Sequence, residues 1–344
     1  MAGAPTGGAE LFFERLTIAL GQAGDRVLPV IRRDGARAAR LAGAGLAPVQ
    51  LGFGGPLDLV TGPRLARALQ AFAPRVAVAW MNRAARFTPI GAWVTVGRLG
   101  GYYDLDYYRH CDHLVANTRG IVDWITAQGW PGGRVQYLPN FAPDMAEIAG
   151  NRTGPDRASN LAALGIPAGA RLLLALGRLH ANKAFDVLIR ALPRLPGVHA
   201  LIAGEGPERA ALQALARSEG VGDRLHLPGW RTDTAALLAA ADILVCPSRH
   251  EPLGNVVIEA FAARVPVVAA CADGPKELIV PGQDGILVPI DDPGALAEAL
   301  ADLLADPAKA ARLANAGRAR FAADFAAAPV LARWRHFLAT VEKP

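Results

Sequence analysis

From residue 27 onward, short apolar runs alternate with longer segments whose apolar positions recur every three or four residues. The runs lie at 27–31, 48–51, 75–80, 92–96, 113–116 and 135–138. Runs with so little polar alternation predict strands buried on both faces. The intervening segments 11–23, 36–42, 64–72 and 118–128 carry helical spacing. Alternation of this kind predicts a mostly parallel sheet covered on both sides. The pattern fails at 141–158, where Pro, Gly and Asn gather, and this stretch reads as a linker. A second series then begins. Its strands are expected at 172–176, 199–203, 225–227, 243–246, 265–269 and 285–288. Its helices are expected near 185–192, 207–218, 234–240, 254–263 and 293–304, and two more close the chain at 308–321 and 329–341. No short period repeats, so a solenoid is excluded. The predicted fold is α/β: two Rossmann-like domains whose parallel sheets face a central cleft.

The chain opens on a Gly-rich loop, Gly7-Gly8 included, that leads into the first helical segment. Such a loop normally follows a buried strand. At most Met1-Ala2-Gly3 can belong to one here, so the first strand reads as short, or missing, or begun upstream.

In the second series the residues after the strands carry the chemistry. Gly177 follows the strand 172–176, with Arg178 and Lys183 close behind. Glycine lets the backbone turn at a strand's carboxyl end, where doubly wound sheets bind ligands. A planar guanidinium and a compact ammonium together suit a diphosphate, although two solvated loop cations would read the same way. Gly204-Glu205-Gly206-Pro207 follows the next strand, a weak phosphate-loop signal. Gly229-Trp230-Arg231 follows a third, where Trp230 either meets a flat base or packs. The stretch 248–268 holds Glu251 and Glu259, with Gly254, Asn255 and Val256 at the mouth of a helix. Glu251 then lies in the loop and Glu259 about a turn and a half inside. Free amides and the positive dipole end favour an anion at such a helix start.

Composition narrows the picture. At 344 residues there is room for two full cores. No apolar run reaches membrane-spanning length, and no signal peptide is visible. Three scattered cysteines and seven unclustered histidines indicate a reducing cytoplasm and no zinc site. Residues 1–152 hold 16 arginines against 11 acidic residues, and so account for the whole net charge of +5. That excess admits an anionic partner. Arg32, Arg33, Arg37 and Arg40 form a basic cluster for an anionic membrane surface or a phosphorylated lipid-linked acceptor, or else a solvated face. Asp104-Leu105-Asp106 spells a metal-holding pattern but sits away from the phosphate motifs, between tyrosine pairs. No GxGxxG follows a strand with an acid about twenty residues on, which disfavours a nicotinamide dehydrogenase. Nothing points to nucleic acid.

The order GRL-x3-K, AGEGP, LPGW, then E-x7-E within PLGNVVIEAFA-x-x-VPVVA resembles the retaining glycosyltransferases of family 4, with the GT-B fold. The opening GGAE-x-F, Leu138-Pro139-Asn140, Gly274 and Glu277 agree with it. The resemblance is strong over residues 170–290 and loose over 25–110. It implies an acceptor domain at 1–150, a donor domain at 151–328 and a closing helix at 329–344 that returns to the first domain. Arg178 and Lys183 would then bind the donor's diphosphate, Glu251 the donor sugar's hydroxyls and Glu259 the ribose. Amides around Gly254, Asn255 and Val256 would touch phosphate or sugar, and Trp230-Arg231 would sit by the base. Gly177 would shape the diphosphate loop, and Gly8 would approach the reacting centre. Arg98, Tyr102 and Asn140 are acceptor-side candidates. Many relatives carry a histidine at the end of a first-domain strand; here Gly97-Arg98 stands there. Arg98 contacts the acceptor or the leaving phosphate, or is simply solvated. The implied activity is sugar transfer from a nucleotide-diphosphate sugar of UDP or GDP type, without cofactor or tightly bound metal. The implied acceptor is a sugar or lipid-linked acceptor of the cell envelope, met in the cytoplasm or on the inner face of the membrane. A sugar-nucleotide epimerase, a phosphorylase and a non-catalytic nucleotide-sugar binder are the alternatives.

Overall fold

The computed structural model describes residues 1–4, 7–55, 57–145 and 155–344. It divides into two bodies, one of Met1–Phe141 with Ala327–Pro344 and one of Ala142–Ala326.

The first body holds two parallel sheets. β1 (Val30–Arg32) pairs with β2 (Val49–Leu51), and β3 (Val76–Trp80), β4 (Val94–Leu99), β5 (His113–Ala116) and β6 (Val135–Tyr137) pair in that order. Met1 donates to Val30 O at 2.7 Å and accepts from Arg32 N at 2.9 Å, the parallel register that sets it opposite Ile31. The short opening thus reaches the sheet through one residue. Beside it, an apolar cavity of about 530 Å³ runs between residues 27–30 and β3. The first helix, Gly8–Gln22, starts three residues before its expected place and buries Phe12, Phe13 and Leu16. The last helix, Ala327–Thr340, belongs to this body, where Trp334 stacks on Trp80 with ring centres 6.3 Å apart.

Two elements here differ from the sequence reading. β4 runs on through Gly97 and Arg98 to Leu99. Gly97 is no turn: a Cβ there would lie 2.5 Å from the Tyr108 ring, so glycine serves close packing inside the strand. The helix Met81–Phe87 was not foreseen, being only seven residues long and entered through Met81 at φ 67°.

The second body holds one parallel sheet of β7 (Arg171–Leu176), β8 (Val198–Ala203), β9 (Leu225–His226), β10 (Ile243–Cys246), β11 (Val267–Ala270) and β12 (Ile286–Val288). Their spatial order is β12-β11-β10-β7-β8-β9. Leu172 and Leu174 of β7 face one core with the helix Asn255–Ala262, while Leu173 and Ala175 face the other with Phe185–Ala191 and Pro293–Ala305. Each buried leucine is worth about 2 kcal/mol, and two filled faces explain the near-continuous apolar runs. The expected linker is partly core: Ala142 and Met145 are buried and Pro155–Ala163 is helical, while 146–154 lie outside the described residues. The short helix Asp273–Leu278 was also unforeseen.

The order of strands in the second body reverses between β7 and β10. Ligands of open α/β sheets bind at the carboxyl ends of strands beside such a reversal.

Candidate functional site

At the end of β7, Gly177 takes φ 147° and donates its N–H to Ala203 O at 3.1 Å. A side chain would be strained there and would press on the Lys183 stem, 3.3 Å from the ideal Cβ. Lys183 closes the turn that follows and ion-pairs with Glu251 of the loop after β10. Ser248 Oγ donates to the same carboxylate oxygen at 3.2 Å. The two loops flanking the strand reversal are thus tied by charge. They are also tied by backbone, since Asn182 O accepts from Arg249 N at 2.9 Å and from His250 N at 3.3 Å. Burial acts to depress the Lys183 ammonium, but the neighbouring Glu251 carboxylate holds its pKa above the ordinary lysine value. Cys246 lies below, its thiol pushed up to about 11 by burial and by Glu251. Arg178 is exposed and has no ion pair among the described residues.

The loop after β8 folds onto the β7 loop. Leu179 N donates to Glu205 O at 3.0 Å, and Glu208 N to Leu179 O at 3.1 Å. Cβ atoms on Gly204 and Gly206 would fall 1.8 Å and 2.2 Å from the carbonyl oxygens of Gly177 and Leu179. The GxG here is a device for backbone contact. The loop after β9 joins through Gly204 N to Gly229 O at 2.9 Å. Trp230 is 51% exposed, so about half of it is open to a ligand. Arg231 grips Asp233 through two bonds of 2.8 and 2.5 Å.

Gly254, at φ 90°, caps the helix Asn255–Ala262. Asn255 and Val256 open it, half-buried, and Glu259 sits half-buried one turn further. Gly274 donates to Glu251 O at 2.8 Å, and a Cβ on it would lie 2.2 Å from Leu253 O. The structure thus brings Gly177, Lys183 and Glu251 together, and sets Arg178, Trp230, Gly254, Asn255 and Val256 on loops of the same sheet edge. Sequence reasoning missed Ser248 and Asn182 as loop ties. It also missed Arg249, whose guanidinium binds Asp186 at 2.8 and 2.7 Å and Asp291 at 2.5 Å. Nothing in local spacing signals partners 40 or more positions apart, which covers Asn182 and Arg249 but not Ser248, three positions before Glu251.

The remaining candidates belong to the first body. Gly8 is the first residue of the opening helix. Tyr102 meets Trp124 edge-on at 5.6 Å. Arg98, near the end of β4, is completely buried, which removes the solvated reading. Its guanidinium lies over Trp80 at 4.9 Å and Phe12 at 5.4 Å and donates to Asn140 Oδ1 at 2.6 Å, while Nε and Nη1 have no partner. Burial lowers its pKa to about 10, which still leaves it charged at neutral pH.

The basic cluster at 32–40 is corrected at two of its four positions, while Arg32 and Arg33 are exposed. Arg37 is buried on Glu14 and Ala4 O, and Arg40 also binds Glu14 through two bonds, so neither is a free surface charge. Asp104 caps its own turn by accepting from Asp106 N at 2.9 Å, and Asp106 pairs with Arg109 at 2.7 Å. Among the described residues no helix is long and apolar enough to cross a membrane.

Two Rossmann-like bodies, one carrying a charged pair at its sheet's switch point, define a GT-B protein. The family description Glycosyl transferases group 1 matches residues 156–320. The lipopolysaccharide core biosynthesis glycosyltransferase LpsE of Rhizobium meliloti (strain 1021) is 33% identical over 97% of this chain and 96% of its own. A glycosyltransferase from Rickettsia africae ESF-5 shares the fold with TM-score 0.86 at 16% identity, over 98% of this chain and 96% of that one. Anabaena Alr3699/HepE, in complex with UDP-glucose, does so with TM-score 0.84 at 23% identity, over 98% and 97%. This chain belongs to the group 1 glycosyltransferases, and it is an enzyme of sugar transfer.

Proposed function

We propose that this is a retaining family 4 enzyme that moves a sugar from a UDP- or GDP-sugar to an acceptor in lipopolysaccharide-core or related cell-envelope synthesis. The observation that carries it is the Lys183–Glu251 pair with Gly177 at the strand reversal. In the reaction the bond from the sugar's anomeric carbon to the diphosphate oxygen breaks. A bond to the acceptor oxygen forms, and the acceptor's proton leaves with the diphosphate. Positive charge grows on the ring and negative charge on the departing oxygens, so fixed cations there lower the barrier. An ammonium has three N–H donors. Lys183 can keep Glu251 with one and meet phosphate with another, while Arg178 supplies a planar fork. Glu251, oriented by Lys183 and Ser248, accepts from a donor-sugar hydroxyl. Glu259 takes the ribose, and Asn255 and Val256 present amides. Trp230 offers its open face to the base. Arg98 and Asn140 serve the acceptor or the leaving phosphate. The reading assigns charge neutralisation to side chains and needs no metal. The likeness to LpsE supports the envelope acceptor, and HepE's UDP-glucose supports the donor class.

The test is thermal stabilisation by UDP, GDP, ADP and CMP, free and as sugar conjugates, beside Lys183→Ala. At a hundred times Kd a ligand adds about 2.7 kcal/mol to the folded state. Stabilisation of the parent but not the variant by one nucleotide is expected, and stabilisation by none defeats the reading. Anomer-resolved NMR of the product checks retention. Location on the inner membrane face is part of the proposal. Leu57, Leu59, Val60 and Ile90 are exposed, near the exposed Arg64, Arg67 and Arg86. Co-sedimentation with anionic vesicles should be lost in Leu57→Glu/Leu59→Glu.

A further inference from the structure

At the carboxyl edge of the first body's sheets lies a second cavity, of about 450 Å³. Arg32, the last residue of β1, lines it, with Gly3 and Ala4 from the opening loop. Met81 and Arg83 enter just after β3, and Tyr103 from the loop after β4. Three strand ends thus converge on one hollow, the usual seat of a ligand in an open α/β sheet.

The charge in it is one-sided. Arg32 and Arg83 are both exposed, and neither guanidinium has a partner among the described residues. Asn82 also lines the cavity; its Oδ1 is taken by the Tyr108 hydroxyl at 2.9 Å, which leaves its amide N–H groups as donors. A third cation stands behind. A methyl group on Gly100 would lie 2.7 Å from Arg98 Nη1 and 3.8 Å from Tyr103 Oη, so the buried, unpaired edge of Arg98 backs onto the Tyr103 wall. Among the described residues no carboxylate lines the hollow. Glu10, behind Gly3, accepts from Ala4 N at 2.8 Å and is close enough to act on Arg98 and Tyr103, so it offsets part of the Arg98 charge and leaves Arg32 and Arg83 as the cations of the hollow. Met81 holds a left-handed φ of 67°, strain of the kind that gathers at ligand sites.

We infer that this hollow binds the acceptor by an anionic group, a carboxylate or a phosphate, held between Arg32 and Arg83 with Asn82 and Tyr103 as neutral donors. The inference rests on the glycosyltransferase reading above and adds the charge of the acceptor to it. A bidentate guanidinium fits either anion, and two of them reject a neutral sugar's site for a charged one.

The test uses lipopolysaccharide core oligosaccharide as the probe in three forms: native, dephosphorylated and carboxyl-reduced. Its Kd is measured by titration calorimetry on the protein saturated with the nucleotide that stabilises it. Native oligosaccharide should bind, and Arg32→Gln and Arg83→Gln should each weaken it at least about tenfold, the loss of one charge-assisted hydrogen bond. Nucleotide stabilisation should stay intact in both variants. Loss of binding on dephosphorylation names phosphate, and loss on reduction names carboxylate. Binding that survives both treatments, or survives both substitutions, overturns the inference, as does absence of binding by the native form. If no nucleotide stabilises the protein, the failure belongs to the functional reading. If nucleotide binds but the acceptor's charge is irrelevant, it belongs to this inference alone.

Discussion

In the second body the site's charges are mostly mated before any ligand arrives; in the first they are not. Lys183 sits on Glu251, Arg231 on Asp233, and Arg249 on Asp186 and Asp291. Arg178 has no ion pair there among the described residues. In the first body, among the described residues, Arg98 is buried with two unpaired nitrogens, and Arg32 and Arg83 are exposed without ion pairs. The difference separates two kinds of construction. Mated charges fix loops, so that fixed donors meet a ligand without reorganising. Unmated cations keep their pairing energy for a ligand that brings the opposite charge.

The largest effect should follow from breaking the mated pair. Lys183→Ala should lower kcat by about a hundred- to a thousandfold, roughly 3–4 kcal/mol of barrier. It should also lower the Tm, because Glu251, with only 12% of its side chain exposed, keeps Ser248 alone as partner. The double variant Lys183→Met/Glu251→Leu should recover stability without recovering activity, since two apolar groups replace two buried charges. Activity of Lys183→Ala within threefold of the parent would remove the distinction between the bodies.

Arg98→Met sharpens the contrast. Here the same kind of substitution removes an unmated buried cation, so the Tm should hold or rise. Transfer should still fall about tenfold or more, the worth of one charge-assisted hydrogen bond to acceptor or leaving phosphate. A falling Tm with unchanged transfer would make Arg98 a structural residue.

The sequence marked the second body's loops more clearly than the first body's, for a physical reason. The second body's motifs are local. Gly177 to Lys183 and Glu251 to Glu259 lie within one loop or one helix start, where spacing and glycine content report geometry directly. Its strands are buried on both faces and read as apolar runs. The hollow inferred as a site in the first body draws on strand ends far apart in sequence, so its spacing carries no signal. Arg98 read as lying past a strand that ends at 96, because a charged residue after glycine in a strand is rare. Trp80, Phe12 and Asn140, 18, 86 and 42 positions away, make its burial tolerable. At Arg37 and Arg40 the basic cluster misled for the same reason: Glu14, which binds both, lies on another helix. Short helices such as Met81–Phe87 and Asp273–Leu278 span too few turns to show a period.

Trp230 tests a smaller part of the donor side. Half-exposed, it can be cut to alanine with little loss of stability. A base stacked on it is worth about 1–3 kcal/mol. Trp230→Ala should therefore raise KM for the donor about fivefold or more and leave kcat near the parent's. A fall in kcat with KM unchanged would put the base elsewhere.

The smallest expected effect is a pH dependence of the second body that leaves the site's ion pair untouched. His199 of β8 and His226 of β9 stack with their rings 5.3 Å apart, and His199 Nδ1 lies 3.0 Å from His226 Nε2. Burial lowers both pKa values, aided by Arg224 beside His199 and by His199 beside His226. Both groups therefore take up protons more readily in the unfolded chain. Their contribution to stability is whole above the unfolded value of about 6.5 and is lost as pH falls below it toward the folded values. The Tm should decline between pH 7 and 5, and His226→Gln should make that decline shallower, because one titrating ring and its effect on the other are gone. Carboxylates add an acid slope of their own, so the difference between parent and variant is the quantity to read. Equal slopes would show that the two rings titrate alike folded and unfolded, and that this sheet edge, unlike the Lys183–Glu251 pair, holds no charge-dependent stability.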